Sequence, residues 1–166
     1  MTSNFTLIYC EDGMAIAEIG PICAVVWRGE VTRLRFERQR AALTEVARKH
    51  GPNAGFLCVV QSDVPPPNDE LRRASTDMMV ALQQELRCAA GVIEGTGFKA
   101  ALTRSVLSGI TLFVGNRKAA LSYFATVGDA SRWMAKSLDI DPVAVAAALE
   151  TLRAKLPLDQ RGSVRT

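Results

Sequence analysis

Two uncharged apolar runs, Ile22-Cys-Ala-Val-Val-Trp27 and Phe56-Leu-Cys-Val-Val60, constrain this chain more than any other feature. Neither alternates with polar residues, so each predicts a strand buried on both faces. Between them, Thr32 to His50 has helical spacing, with Phe36, Leu43, Val46 and Ala47 on one apolar stripe. Gly51-Pro52 stops that helix. Doubly buried strands joined through a helix predict a mostly parallel sheet with helices packed on it.

The rest of the chain repeats this alternation. Phe5 to Cys10 and Met14 to Ile19 predict two strands linked by a turn at Glu11-Asp12-Gly13, which places an antiparallel edge before the parallel part. Gln61 to Asn68 contains Pro65-Pro66-Pro67 and reads as a stiff extended loop. Asn68 or Asp69 can cap the next helix, which the spacing of Leu71, Ala74, Met78, Leu82 and Leu86 carries to about Ala89. Gly91 to Ile93 predicts a short strand. Glu94-Gly95-Thr96-Gly97 leads into a helix with Phe98, Ala101, Leu102, Val106 and Leu107 inward, and Ile110 to Val114 predicts the last strand. Ala130 to Leu138 is a further helix. A final one starts at Asp141-Pro142, an acidic cap with proline at the first helical position, and runs to about Lys155. The predicted order is β-β-β-α-β-α-β-α-β-α-α.

Composition bounds the function. The 166 residues are 48% hydrophobic and 22% charged, as expected for one globular domain that needs neither disulfide nor metal to fold. The formal charge of +3 does not point to nucleic acid or a membrane surface. The N-terminus lacks the basic and apolar regions of a signal peptide, and the longest uncharged run, Ser105 to Asn116, is too short and too polar to span a bilayer. Cys10, Cys23, Cys58 and Cys88 form no C-x-x-C pair, and three lie in apolar segments. They read as free thiols in a reducing cytoplasm rather than as zinc ligands or a redox pair. With a single histidine, any catalytic dyad would hang on His50. That residue sits in the last turn of a helix, where a cation complements the helix dipole, and no nucleophile is spaced to use it.

With these elements placed, the sequence resembles the STAS superfamily, the fold of the bacterial anti-sigma-factor antagonists, in its divergent STAS-like branch. The resemblance covers about residues 5 to 138. It rests on the element order and on Ile22-Cys-Ala-Val-Val-Trp-Arg-Gly29 entering a long helix. It also rests on Val92-Ile-Glu-Gly-Thr-Gly-Phe98 followed by Ala100 to Val106, and on Ala125 to Trp133. It implies a STAS-like mixed, mostly parallel sheet of four to six strands with four helices, plus an extra C-terminal helix. It also implies a regulatory role through protein binding. The family's phosphorylatable serine lies in an Asp-Ser-Ser-Gly type turn. Here Ser62 precedes Asp63 and no glycine follows, so the resemblance implies a module without the usual phosphoserine switch. Asp63 and Asp69 stand where phosphate charge would fall.

Candidate site residues lie on the rim formed by loops leaving the carboxyl ends of the parallel strands, where ligands of α/β sheets bind. They are Ser62, Asp63, Asp69, Arg72 and Arg73 on one loop and helix start, and Glu94, Gly95, Thr96, Gly97 and Arg104 on the other. Gly95-Thr96-Gly97 can present backbone N–H groups to an anion. The plainer alternative, a helix cap and a tight turn, is favoured. Glu94 is a candidate buried acid, but it lacks a second carboxylate unless Asp63 or Asp69 approaches. The first helix carries Arg33, Arg35, Arg38, Arg40, Arg48 and Lys49, a positive charge interrupted by Glu30, Glu37 and Glu45. It reads as a solvated face with pairs such as Glu45 and Lys49, and has no exposed aromatics for nucleic acid.

These features predict one domain over residues 1–158, with a core over 5–138, a C-terminal helix over 141–156 and a flexible tail over 159–166. The expected role is a cytoplasmic, non-enzymatic regulatory or scaffolding protein that binds a protein partner. No cofactor, metal, nucleic acid or stable membrane insertion is expected. A small-molecule or lipid-binding domain is the alternative, since some STAS-like domains are similar in fold to lipid carriers. The final helix, with Val145, Leu149, Leu152 and Leu156 at helical spacing, either covers the sheet or forms a homodimer surface.

Overall fold

A computed structural model describes residues 4–62, 64–82, 84–95 and 120–156. Three consecutive strands open the chain: β1 (Phe5–Glu11), β2 (Met14–Ile19) and β3 (Ile22–Trp27). Helix α1 (Arg33–His50), a short 3-10 turn (Gly51–Asn53), β4 (Ala54–Val60), α2 (Asp69–Leu82) and β5 (Leu86–Ile93) follow. The described chain ends with β6 (Ala120–Phe124), α3 (Val127–Leu138) and α4 (Pro142–Lys155).

The six strands lie in sequence order in one sheet. β1-β2 and β2-β3 pair antiparallel, and β3, β4, β5 and β6 are parallel neighbours. The fold is therefore α/β with a mixed, mostly parallel sheet. Because crossovers between parallel strands are right-handed and β3 to β5 step across the sheet in one direction, α1 and α2 fall on the same face. The opposite face is as apolar and needs its own cover, which α3 and α4 supply.

The alternating pleat divides the core accordingly. Ile16, Cys23, Val25, Trp27 and Phe56 pack with Leu43, Val46 and Met78 under α1 and α2. Ala17, Ala24, Val26, Leu57 and Val92 pack with Met134, Val145, Leu149 and Leu152 under α3 and α4. Every residue of β3 is buried, as its uncharged run predicts. The alternative left open for the final helix resolves as sheet cover, since Val145, Leu149 and Leu152 are fully buried and Leu156 nearly so.

The helix ends follow local chemistry. The Thr32 Oγ1 accepts from the Arg35 N–H at 3.3 Å. Gly51 takes φ +57° while its N–H bonds to the Ala47 carbonyl. Between the two candidate caps for α2, Asn68 is the one used, its Oδ1 accepting from the Leu71 N–H at 2.9 Å. Asp141 caps α4 through the Val143 N–H at 3.0 Å, with Pro142 following.

Two expectations need correction. The second helix ends at Leu82, not near Ala89, and β5 begins at Leu86, well before Gly91. Leu86 continues the i, i+4 spacing of Met78 and Leu82 only by coincidence: its burial comes from pairing beside Ala54 in the sheet. The sixth strand described is Ala120–Phe124, a segment for which the sequence pattern predicts no element. The predicted helix over 98–107, the strand over 110–114 and the tail over 159–166 lie outside the described residues.

Candidate functional site

The carboxyl ends of β3, β4 and β5 meet along one rim. The Gln61 N–H bonds to the Trp27 carbonyl at 3.0 Å, and the Glu94 N–H to the Val60 carbonyl at 2.9 Å, so the three exits are held in register. From them project Arg28, Gln61 and Glu94. Arg28 Nε donates to Gln61 Oε1 at 3.1 Å. Glu94 forms an ion pair with Arg153, which reaches over from α4. Both side chains are about three-quarters buried, at 25% and 22% exposed. Burial, and secondarily the nearby Arg28 charge, pulls the Arg153 guanidinium below its ordinary pKa. Glu94 thus has a cationic partner, Arg153, which Glu150 of α4 also approaches at 3.7 Å.

The other rim candidates lie apart from this cluster. Ser62 is exposed in the turn after β4. Asp69, Arg72 and Arg73 are exposed on the first turn of α2, where Arg72 pairs with Asp69. Next to them Glu70 accepts from Arg33 of α1 at 2.7 Å, with both side chains largely in water. Gly95 has φ +129°, a backbone state that glycine takes without strain. Asp63, Thr96, Gly97 and Arg104 lie outside the described residues.

A second polar cluster sits at the entry to α1. The Arg35 guanidinium threads between Gly13 and Gly29. A Cβ at these positions would stand 2.5 Å and 2.9 Å from it. It donates to Glu11 at 2.7 Å and to the Glu30 carbonyl at 2.8 Å, and Tyr9 donates to the other Glu11 oxygen at 2.9 Å. Burial acts to raise the Glu11 carboxyl, but the Tyr9 and Arg35 bonds outweigh it and hold the pKa below the ordinary value. Arg38 stacks 4.6 Å from the Tyr9 ring centroid.

The remaining charges of α1 are matched in the same way. Glu18, at 16% exposed, accepts from Lys49 at 2.7 Å and contacts His50 Nε2 at 2.8 Å. Burial works to raise its pKa and the Lys49 and His50 bonds lower it, with a net lowering. The expected Glu45–Lys49 pair is replaced: Glu45 pairs with Arg48, and Lys49 turns to Glu18. His50 accordingly closes a helix end against β2. The thiols of Cys23 and Cys58 are pushed up by burial to about 12, and that of Cys88 to about 11. At neutral pH all three are protonated, and the thiol is the inert form. Cys10 is exposed on the edge strand β1 and contacts the Lys155 carbonyl at 3.3 Å.

Between α1 and α2 lies a groove of about 340 Å3. Phe36, Met78 and Leu82 form its floor, and Arg40, Asp77 and Ala81 its lips. Sequence reasoning misses this groove, together with Arg28, Gln61 and Arg153. A signal for Arg153 is present, since it lies four residues beyond Leu149 on the flank of the buried stripe of α4. A charged residue there must either reach water or find a buried partner.

Among the described residues, no helix is long and apolar enough to cross a membrane and no group of His, Cys, Asp and Glu is arranged to hold a metal. No family model matches this chain. No curated protein matches it either. Among solved structures, the chain is similar to an uncharacterized protein of the DUF3478 family from Shewanella loihica PV-4, described as having a SpoIIAA-like fold. The two share 11% identity over 80% of this chain and 93% of the other, with a TM-score of 0.48.

Proposed function

We propose that this protein is a non-enzymatic regulatory or scaffolding module of the cytoplasm, which binds a protein partner through the loop after β4 and the start of α2. The observation that carries this reading is the exposure of α2. Of its fourteen residues, Leu71, Met78 and Leu82 are buried, while Asp69, Glu70, Arg72 and Arg73 stand in water on its first turn. They follow a loop whose prolines restrict its backbone, so little ordering entropy is lost when a partner engages it. By contrast, the polar side chains at the strand ends are occupied with one another, Arg28 with Gln61 and Glu94 with Arg153. Interfaces favour arginine, and a mixed-sign patch supports specificity more than raw affinity.

The test is affinity capture from native lysate with the folded wild type, with Arg72→Glu/Arg73→Glu, and with Arg48→Glu at the far end of α1. The expected result is a stoichiometric partner held by the wild type and by Arg48→Glu, and lost by the double reversal. Absence of any stoichiometric partner, or one indifferent to the reversal on α2, would overturn the proposal.

A further inference from the structure

We infer that this chain forms a two-fold dimer through the edge strand β1 and the flank of α4 beside it, so that the occupant of this surface is a second copy of the chain. The inference goes beyond the partner-binding reading above and does not rest on it, since α1 and α2 lie on the other face of the sheet. β1 stands at the edge and pairs with β2 alone among the described residues. Natural sheet edges are blunted with charge, proline or a bulge. β1 has the bulge, where its register with β2 slips between Leu7 and Tyr9. That interrupts the ladder an extended segment would join. It does not cover the side chains there: Leu7 and Ile8 stand side by side, 42% and 43% exposed. The one charge on the strand, Glu11, lies at its end and is bound to Arg35 and Tyr9.

The flank of α4 selects the occupant. Leu7 pairs with Ala17, which packs under α3 and α4, so Leu7 faces the α4 side of the sheet. Cys10 contacts the Lys155 carbonyl at 3.3 Å, which sets the end of α4 beside β1, while Arg153 turns the other way toward Glu94 on β5. With about 3.6 residues per turn, the β1 side of α4 is therefore the row Asp141, Ala144, Ala148, Thr151 and Lys155. Asp141, Thr151 and Lys155 are exposed and Ala144 is partly buried. A two-fold interface uses one patch twice, so the patch must carry its own complement. This row does. Laid antiparallel to its copy about Ala148, it sets Asp141 opposite Lys155 of the second copy and Ala144 opposite the second copy's Thr151. Neither Asp141 nor Lys155 has an ion-pair partner among the described residues, and no charge stands between them on the row. The small side chains between leave room for Leu7 and Ile8 of both copies. A surface of this extent is at the small end for a specific complex, which sets the expected Kd at about 10–100 µM. With α2 free in each copy, the dimer would present two partner sites and bind with avidity.

The test is sedimentation velocity on the full chain over roughly 1 to 500 µM, a range that brackets this affinity. Four variants are compared with the wild type, each first checked by thermal melting: Leu7→Lys, Lys155→Glu, Asp141→Asn and the double variant Lys155→Glu/Asp141→Asn. All three positions are exposed, and asparagine keeps the cap of α4. The expected result is a reversible dimer of the wild type, weakened about tenfold or more by Leu7→Lys, which puts a charge on the edge, and by Lys155→Glu, which sets like charges together. Asp141→Asn should weaken the wild-type dimer and strengthen that of Lys155→Glu, because it removes an attraction from the first and a repulsion from the second. A monomer throughout the range, or a dimer indifferent to Leu7→Lys, would overturn the inference. So would a dimer in which Asp141→Asn acts in the same direction in both backgrounds.

Discussion

Helices α2 and α4 are both fourteen residues long and lie on opposite faces of one sheet, yet they pack differently. In α4, Val145, Leu149 and Leu152 are wholly buried, and alanines around them let the helix lie close on β2 and α3. In α2, the buried side chains are fewer, each retains a trace of exposure, and Val80 is 45% exposed. The difference lies in composition. An alanine-rich helix can approach a sheet on a broad front. A helix whose first nine residues are mostly Asp, Glu, Arg, Ser and Thr can bury only a narrow stripe, and leaves a gap beside the neighbouring helix. The contrast leaves α4 closed against the sheet, whereas α2 keeps polar surface in water.

The comparison breaks most readily at its cores. Leu149→Ala should cost about 2–5 kcal/mol of unfolding free energy in urea melts. Met78→Ala should fall at the low end of that range, because Met78 lies at the edge of its core, beside the cleft between α1 and α2, where neighbours can close over the gap. If the two losses are equal, or Met78→Ala is the larger, the packing contrast is wrong. Next in size is the Arg35 slot, which fixes the start of α1 beside α2. Gly13→Ala should cost about 1–3 kcal/mol through overpacking. Most of that loss should vanish in an Arg35→Ser background, since the added methyl meets the guanidinium; a double-mutant cycle with no coupling would refute the slot.

A smaller effect is expected at the other end of α1. Glu18 and Glu11 have pKa values lowered on folding from an ordinary value of 4.5. Each therefore contributes stability that is fully present above that value and is lost as pH falls through the lower, folded-state value. Glu18→Gln should lower stability at pH 7 by about 1 kcal/mol, and by much less in acid, once pH has fallen through the lowered folded-state value. Equal losses at both pH values would show that the Lys49 and His50 contacts do not act through charge. The smallest change is expected on α2, where Arg72→Glu should shift stability by less than about 0.5 kcal/mol despite its predicted effect on partner capture.

Much of the scaffold was legible because periodicity reports burial. β3 and β4 are apolar throughout because both faces are covered, and Thr32, Gly51 and Asp141 mark helix ends through hydrogen bonds made within a few residues. The reading failed where two periods coincide. Leu82 and Leu86 are four apart, as on a helix, but Leu86 starts a strand whose burial depends on β4 beside it. β6 failed for a related reason: Ala120–Phe124 is short, partly exposed, and stabilised as a strand by pairing with β5. Of the candidate site, the exposed start of α2 was legible. The Glu94–Arg153 pair was not, since its members are 59 residues apart and only the packing of α4 across the sheet brings them together.

By itself, then, the sequence determined the class of fold and most of its elements, because strand and helix periods and end caps are written in neighbouring residues. It also marked Glu94 and the first turn of α2 as points of interest. Tertiary structure alone decided which charges neutralise each other, that the final helix covers the sheet, and that a groove opens between α1 and α2. Each depends on distances between segments remote in the chain, and those follow from how side-chain volumes fill the two faces of the sheet.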